Sequence, residues 1–254
     1  MKNKRLYDFH THVSELNTIE KYYESNIVPV INCQDKNEYC NLNEYFRYMK
    51  KNISSREEKF YFIIGVHPND SLKYENKVEQ VYEKILSESP IIGEIGMDGC
   101  WCDVSFDVQE DVFIKSLDIA REHSKAVILH TKFMEEKIYN IIKEYDLDFI
   151  VHWYSCDKYI DEFIDKGCYF TIGPAVLIDE NVRMLVKKAP MDKLLLETDG
   201  LEALEWLFKK KYKADDLRAV LETVCKEISL LKNIDIEVTY EVLQKNSEKL
   251  LKIV

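Results

Sequence analysis

Short apolar runs alternate with longer stretches of helical period along the 254 residues of this chain. The near-continuous apolar runs fall at 7–12, 27–33, 60–67, 91–96, 126–130, 149–152, 169–172 and 194–197. Strands of a parallel sheet read this way, because helices cover both of its faces. Between them, Phe113, Leu117 and Ala120 recur at helical spacing within 106–122, and Val78, Tyr82, Ile85 and Leu86 do so within 75–87. After the last run, Leu217, Val220, Leu221, Val224, Ile228 and Leu231 predict a long amphipathic helix, and 238–253 predicts another. Eight strands alternating with helices predict an α/β fold, a closed (β/α)8 TIM-type barrel. An open doubly wound sheet uses the same alternation and is the rival architecture. No Gly/Ser-rich or Pro-rich linker and no repeat marks a boundary, so 1–254 is expected to form a single domain.

Composition narrows the class. At 46% hydrophobic residues the chain can bury one sizeable core. Its longest apolar run, 60–66, is too short to span a bilayer, and the basic start MKNKR has no apolar segment behind it, so no secretory signal is expected. Seven cysteines, an odd number, fit a reducing cytoplasm better than a disulfide framework. A net charge of −11 argues against broad electrostatic binding of nucleic acid, which relies on basic patches. A local phosphate site built around metal ions stays open, since bound cations can be the largest charges present.

Candidate chemistry sits at the ends of the apolar runs. Five of the six histidines lie there (His10, His12, His67, His130 and His152), as do the acids Glu94 and Asp199. In a barrel those ends converge on one small volume. His10 and His12 are two apart on a strand and point to one face; Asp8 shares that face and is expected to support one of them. Histidines with two carboxylates suffice for two divalent ions, one carboxylate bridging them. Such a pair activates a water and clamps the oxygens of a phosphodiester. Asp199 is placed to orient or deprotonate that water, and His67 and Lys132 to touch a substrate phosphate. A metal-dependent hydrolase is the expected class. His123, near a helix end, reads as a surface residue favoured by the helix dipole.

Other residues fall on the same predicted rim. Cys33, Cys100, Cys102 and Cys156 offer an extra zinc site or an oxidation switch, against the plainer reading of small apolar fillers. Trp101, Trp153, Tyr154, Trp206 and Phe208 could stack splayed bases or simply pack loops. The basic run 209–213 (KKKYK) could touch a nucleic-acid backbone or form a solvated face.

At these positions the chain resembles the TatD family of metal-dependent hydrolases, a branch of the amidohydrolase-like barrels. The matching pieces are DFHTH at 8–12, GVHP at 65–68, GEIGMD at 93–98, ILHTK at 128–132, VHWYS at 151–155 and ETD at 197–199. Gln109, Phe113 and Ala120 also fit the pattern, as do Asn246 and Leu250 near the end. The resemblance implies one metal held by His10, His12, Glu94 and Asp199. Glu94 would bridge to a second held by His130 and His152, and His67 would contact substrate phosphate. It implies a deoxyribonuclease, a 3′-to-5′ exonuclease on single-stranded or frayed DNA, supported by Mg2+ or Mn2+. Histidine-rich ligation also suits Zn2+. The chain departs from the family at Gly99, where a Tyr is usual, and at Lys132, where Arg is common. After ETD the usual Ala-Pro and long loop are missing, and Gly200 leads directly into LEALEWLF. The alternatives left open are a hydrolase of a small amide, lactone or phosphoester, and a partner-dependent subunit of a nucleic-acid maintenance or anti-phage system.

Overall fold

A computed structural model describes residues 4–52, 60–83 and 85–253. Its eight strands are β1 (Leu6–Thr11), β2 (Ile27–Cys33), β3 (Tyr61–Ile64), β4 (Ile91–Gly96), β5 (Ala126–His130), β6 (Phe149–Val151), β7 (Tyr169–Ile172) and β8 (Leu194–Leu196). They fall where the apolar runs predict them. All pair in parallel, as β1-β2-β3 and as β4-β5-β6-β7-β8. The two arcs close on each other, β3 beside β4 and β8 beside β1. Asp199, just past β8, donates its backbone N–H to His10 O on β1 at 3.1 Å. The protein is therefore a TIM-type barrel, and the open doubly wound sheet is excluded.

The helices are α1 (Leu16–Glu24), α2 (Lys36–Asn52), α3 (Ser71–Tyr74), α4 (Glu79–Tyr82), α5 (Phe106–Glu122), α6 (Glu135–Ile142), α7 (Ile160–Asp165), α8 (Glu180–Lys188), α9 (Gly200–Phe208), α10 (Leu217–Lys232) and α11 (Ile236–Leu250). The apolar positions of α5 and α10 face the barrel: Phe113, Leu117 and Ala120 are buried, and so are Leu217, Leu221, Val224 and Ile228. One expectation fails. The described residues of 75–87 do not form a continuous helix, because a turn in which Lys77 N donates to Tyr74 O separates α3 from α4. Val78, Tyr82 and Ile85 are nevertheless buried, so the periodicity reported burial rather than regular hydrogen bonding. No helix among the described residues is long and apolar enough to cross a membrane.

Two irregularities shape the mouth. The pairing register shifts between Asp8 and Thr11 in β1 and between Ile92 and Ile95 in β4. Such shifts re-aim side chains, and these two carry His10 and Glu94. Past Glu94, β4 runs so close to β5 that a Cβ at Gly96 would lie 2.0 Å from His130 O.

Candidate metal centre

Glu94 is the hub of the site. It is buried within β4, two residues before the end of the strand, and its Oε1 lies 2.5 Å from His130 Nδ1 and 2.6 Å from His152 Nε2. Its Oε2 lies 3.6 Å from His10 Nε2 and 3.8 Å from His12 Nε2. Asp199 faces the same two imidazoles from just past β8, with its Oδ1 3.3 Å from His10 Nε2 and 3.7 Å from His12 Nε2. The rings of His10 and His152 stack at 4.2 Å between centroids. Three overlapping groups result: His10, Glu94 and His152; His10, His12 and Asp199; and His67, Glu94 and His130. Within each, the candidate ligand atoms lie no more than 4.8 Å apart.

The electrostatics follow from this crowding. Burial alone would push the Glu94 carboxyl up, but the imidazoles of His152 and His130 outweigh it and hold the group well below its usual range. Burial disfavours charge on His152 and His130 too, yet Glu94 raises both above the ordinary histidine value. Burial dominates at His67 and lowers it to about 4. His67 Nδ1 accepts a hydrogen bond from Asn69 N at 3.2 Å, so the proton of the neutral ring sits on Nε2 and faces the cavity side of Glu94.

These residues fit a divalent metal. His10 is fully buried, yet among the described residues neither of its ring nitrogens has a hydrogen-bond partner. A buried imidazole without partners is costly unless something else satisfies it, and here carboxylate oxygens converge on the same point.

Two further carboxylates stand beside the cluster that the sequence pattern does not single out. Asp98 Oδ2 lies 2.7 Å from His130 Nε2, while its Oδ1 accepts the backbone N–H of Cys100 at 2.6 Å and of Trp101 at 2.7 Å. Glu197 is buried beside His152: its Oε2 is 3.7 Å from His152 Nδ1, and its Oε1 accepts Trp153 N at 3.0 Å. A carboxylate at the distance of Asp98 fixes the orientation of the imidazole it meets, whereas Glu197 faces His152 from beyond hydrogen-bond distance. The signal was present, since both lie inside the GEIGMD and ETD segments that carry Glu94 and Asp199.

Asp8 corrects an expectation. It does not support a histidine: its Oδ1 accepts Thr198 N at 2.8 Å, and its Oδ2 accepts Thr198 Oγ1 at 2.6 Å and Tyr22 OH at 2.7 Å. The register shift after Asp8 breaks the alternation that put it on the face of His10. Fully buried, with its carboxyl pushed up to about 7, Asp8 instead ties β1 to the chain leaving β8.

A cavity of about 560 Å3 opens above the cluster. His12, His67, Glu94, His130, His152 and Asp199 line its floor, and Lys132, Trp101, Trp153 and Trp206 line its wall. Lys132 Nζ donates to Trp153 O at 2.9 Å and to Ser155 Oγ at 3.3 Å. Tyr154 does not join the rim; it is buried against Phe163 and Phe170. Phe208 packs on Tyr212. Among the described residues no cysteine belongs to a ligand cluster, and none of the seven is in a disulfide. Burial raises the thiols of Cys33, Cys102 and Cys156, which suits apolar filling better than reactivity.

A parallel barrel with buried imidazoles and carboxylates at the C-terminal ends of its strands is the architecture of a metal-dependent hydrolase. The chain belongs to the TatD family: the family model described as TatD related DNase matches residues 7–252. It is 30% identical over 201 residues to an uncharacterized metal-dependent hydrolase of Methanocaldococcus jannaschii, a match covering 78% of each chain. It is 25% identical over 205 residues to the uncharacterized metal-dependent hydrolase YabD of Bacillus subtilis, covering 76% of this chain and 78% of that one. The crystal structure of the Escherichia coli TatD homologue YjjV shares the fold with a TM-score of 0.80 at 19% identity, covering 98% of this chain and 99% of that one.

Proposed function

We propose that the protein hydrolyses DNA phosphodiester bonds, working from the 3′ end of single-stranded or frayed strands in the cytoplasm. The observation that carries this reading is the cavity itself, which joins the imidazole–carboxylate floor to a wall bearing an ammonium group and three indoles. His10, His12, Glu94 and Asp199 would hold one divalent ion, and His130, His152 and the shared Glu94 a second, as Mg2+, Mn2+ or Zn2+. When bound, such ions polarise a phosphoryl oxygen and lower the pKa of a coordinated water.

The chain's own groups supply the rest. The Asp199 carboxylate is held below its usual range: burial opposes ionisation, but the neighbouring imidazoles of His10, His152 and His12 prevail. Ionised, it can orient the attacking water and accept its proton. His67 Nε2–H can donate to a phosphate oxygen, and Lys132 brings a positive charge to the same wall. Asp98 keeps His130 in position, and the Glu197 carboxylate lies behind His152.

The test is an oligonucleotide labelled at its 5′ end, incubated with Mg2+ or Mn2+. A ladder shortening from the unlabelled 3′ end is the expected result; release of the labelled nucleotide first would reverse the polarity. A second reading, a small phosphoester, amide or lactone as substrate, rests on α9 beginning at Gly200, immediately after Asp199, which leaves no long loop on that side of the rim. Intact oligonucleotides beside cleaved bis(p-nitrophenyl) phosphate would favour it.

A further inference from the structure

All three tryptophans of the chain, Trp101, Trp153 and Trp206, line this one cavity. Two of them remain largely in solvent, Trp101 58% and Trp206 56% exposed. They come from different elements, the loop after β4 and the last turn of α9. Their ring centroids are 6.2 Å apart with the planes at 79°, one ring standing edge-on to the other. The pair makes a right-angled aromatic corner at the edge of the cavity.

The corner is built rather than accidental. The backbone N–H of Trp101 is fixed by Asp98 Oδ1, and the other oxygen of Asp98 lies 2.7 Å from His130. Gln109, fully buried, clamps the same loop: its Oε1 accepts Asp98 N at 2.8 Å and its Nε2 donates to Val104 O at 2.8 Å. One carboxylate thus sets both an imidazole of the metal cluster and the position of the indole. Cations flank the two rings, with Lys132 Nζ 5.8 Å from the Trp101 centroid and Lys209 Nζ 5.3 Å from that of Trp206. In a chain of net charge −11, the basic run 209–213 follows Trp206 by only three residues. Flat apolar faces beside ammonium groups match a ligand that carries a planar ring and a phosphate. Aromatic side chains hold bases in this way without reading their sequence, because every base has a π-face.

We propose that Trp101 and Trp206 form a nucleobase-binding subsite that seats the base of the terminal nucleotide while its phosphate reaches the metal centre. The proposal deepens the nuclease reading and rests on it for the role of the site. The subsite discriminates for the presence of a base, not for its identity.

The experiment uses monophosphates, which contain no diester bond to cleave. Deoxyadenosine 5′-monophosphate and 2-deoxyribose 5-phosphate are titrated into the metal-loaded protein, and dissociation constants are read from quenching of tryptophan emission or from calorimetry. The nucleotide is expected to bind at least about tenfold more tightly than the sugar phosphate. Trp101→Ala and Trp206→Ala should each remove most of that preference, whereas Trp206→Phe, which keeps an aromatic face, should retain it. Equal binding of the two phosphates by the wild type, binding of neither, or an undiminished preference in either alanine variant would overturn the proposal. Failure of the nuclease reading shows elsewhere: a protein that prefers the nucleotide but leaves oligonucleotides intact has the base site without the exonuclease.

Discussion

Glu94→Ala is expected to lower the rate of phosphodiester hydrolysis at least about a thousandfold, the largest effect of any single change in the site. The reason is geometric. The carboxylate has two oxygens and approaches five imidazoles, lying within 3.9 Å of a ring nitrogen of His10, His12, His67, His130 and His152. Glu94 is shared by two of the three candidate ligand groups and reaches the imidazoles of all three, so its loss would remove the link between them. The fold should persist, because Glu94 meets the site histidines at the mouth and the apolar core lies elsewhere. Glu94→Gln keeps the volume without the charge and should be nearly as inactive. Steady-state rates on an oligonucleotide, with circular dichroism as the control for folding, check both variants. Activity within tenfold of the wild type in either would remove Glu94 from the centre of the mechanism.

Gly96→Ala is expected to destabilise the protein by more than about 4 kcal/mol or to prevent folding. The φ of Gly96 is +152°, where L side chains rarely lie, and a Cβ there would sit 2.0 Å from His130 O. The obstructing atom is backbone of the neighbouring strand, so β4 and β5 would have to separate at the point where Glu94 meets His130. Gly167 provides the contrast. Its φ is +83°, but the nearest atom to an added Cβ is the flexible Lys193 Nζ at 3.9 Å. Gly167→Ala should therefore cost only the backbone strain, on the order of 1–2 kcal/mol. Thermal unfolding of the two variants side by side measures the difference, and comparable melting temperatures would contradict the close approach of β4 and β5.

Much of this architecture was legible in the sequence because a parallel barrel writes itself as repeated apolar runs. His10, Glu94, His130, His152 and Asp199 are separated widely along the chain, yet each ends a run, and strand ends are where a barrel brings residues together. Side-chain direction was harder to read. A register shift inside β1 turned Asp8 away from His10, and no periodicity reveals a shift of that kind. Asp98 lies beyond the end of its strand, and its role depends on a contact with β5 that only the folded loop creates. Glu197 was hidden for the opposite reason: a carboxylate at a strand end beside Asp199 gives no sign of which acid faces the cavity and which lies behind His152. Tyr154 shows the same limit, since a tyrosine next to Trp153 was placed on the rim and is buried instead. The segment 75–87 had helical periodicity and buried the expected residues, but short turns met the same requirement.

If the imidazole–carboxylate cluster works through bound divalent metal on DNA ends, chelator-stripped protein should leave an end-labelled single-stranded oligonucleotide intact. Restoring Mn2+ or Mg2+ should produce a 3′-shortened ladder, and Asp199→Ala assayed in parallel should show no such recovery. Undiminished cleavage by protein verified to be metal-free, or full activity in Asp199→Ala, would contradict that mechanism.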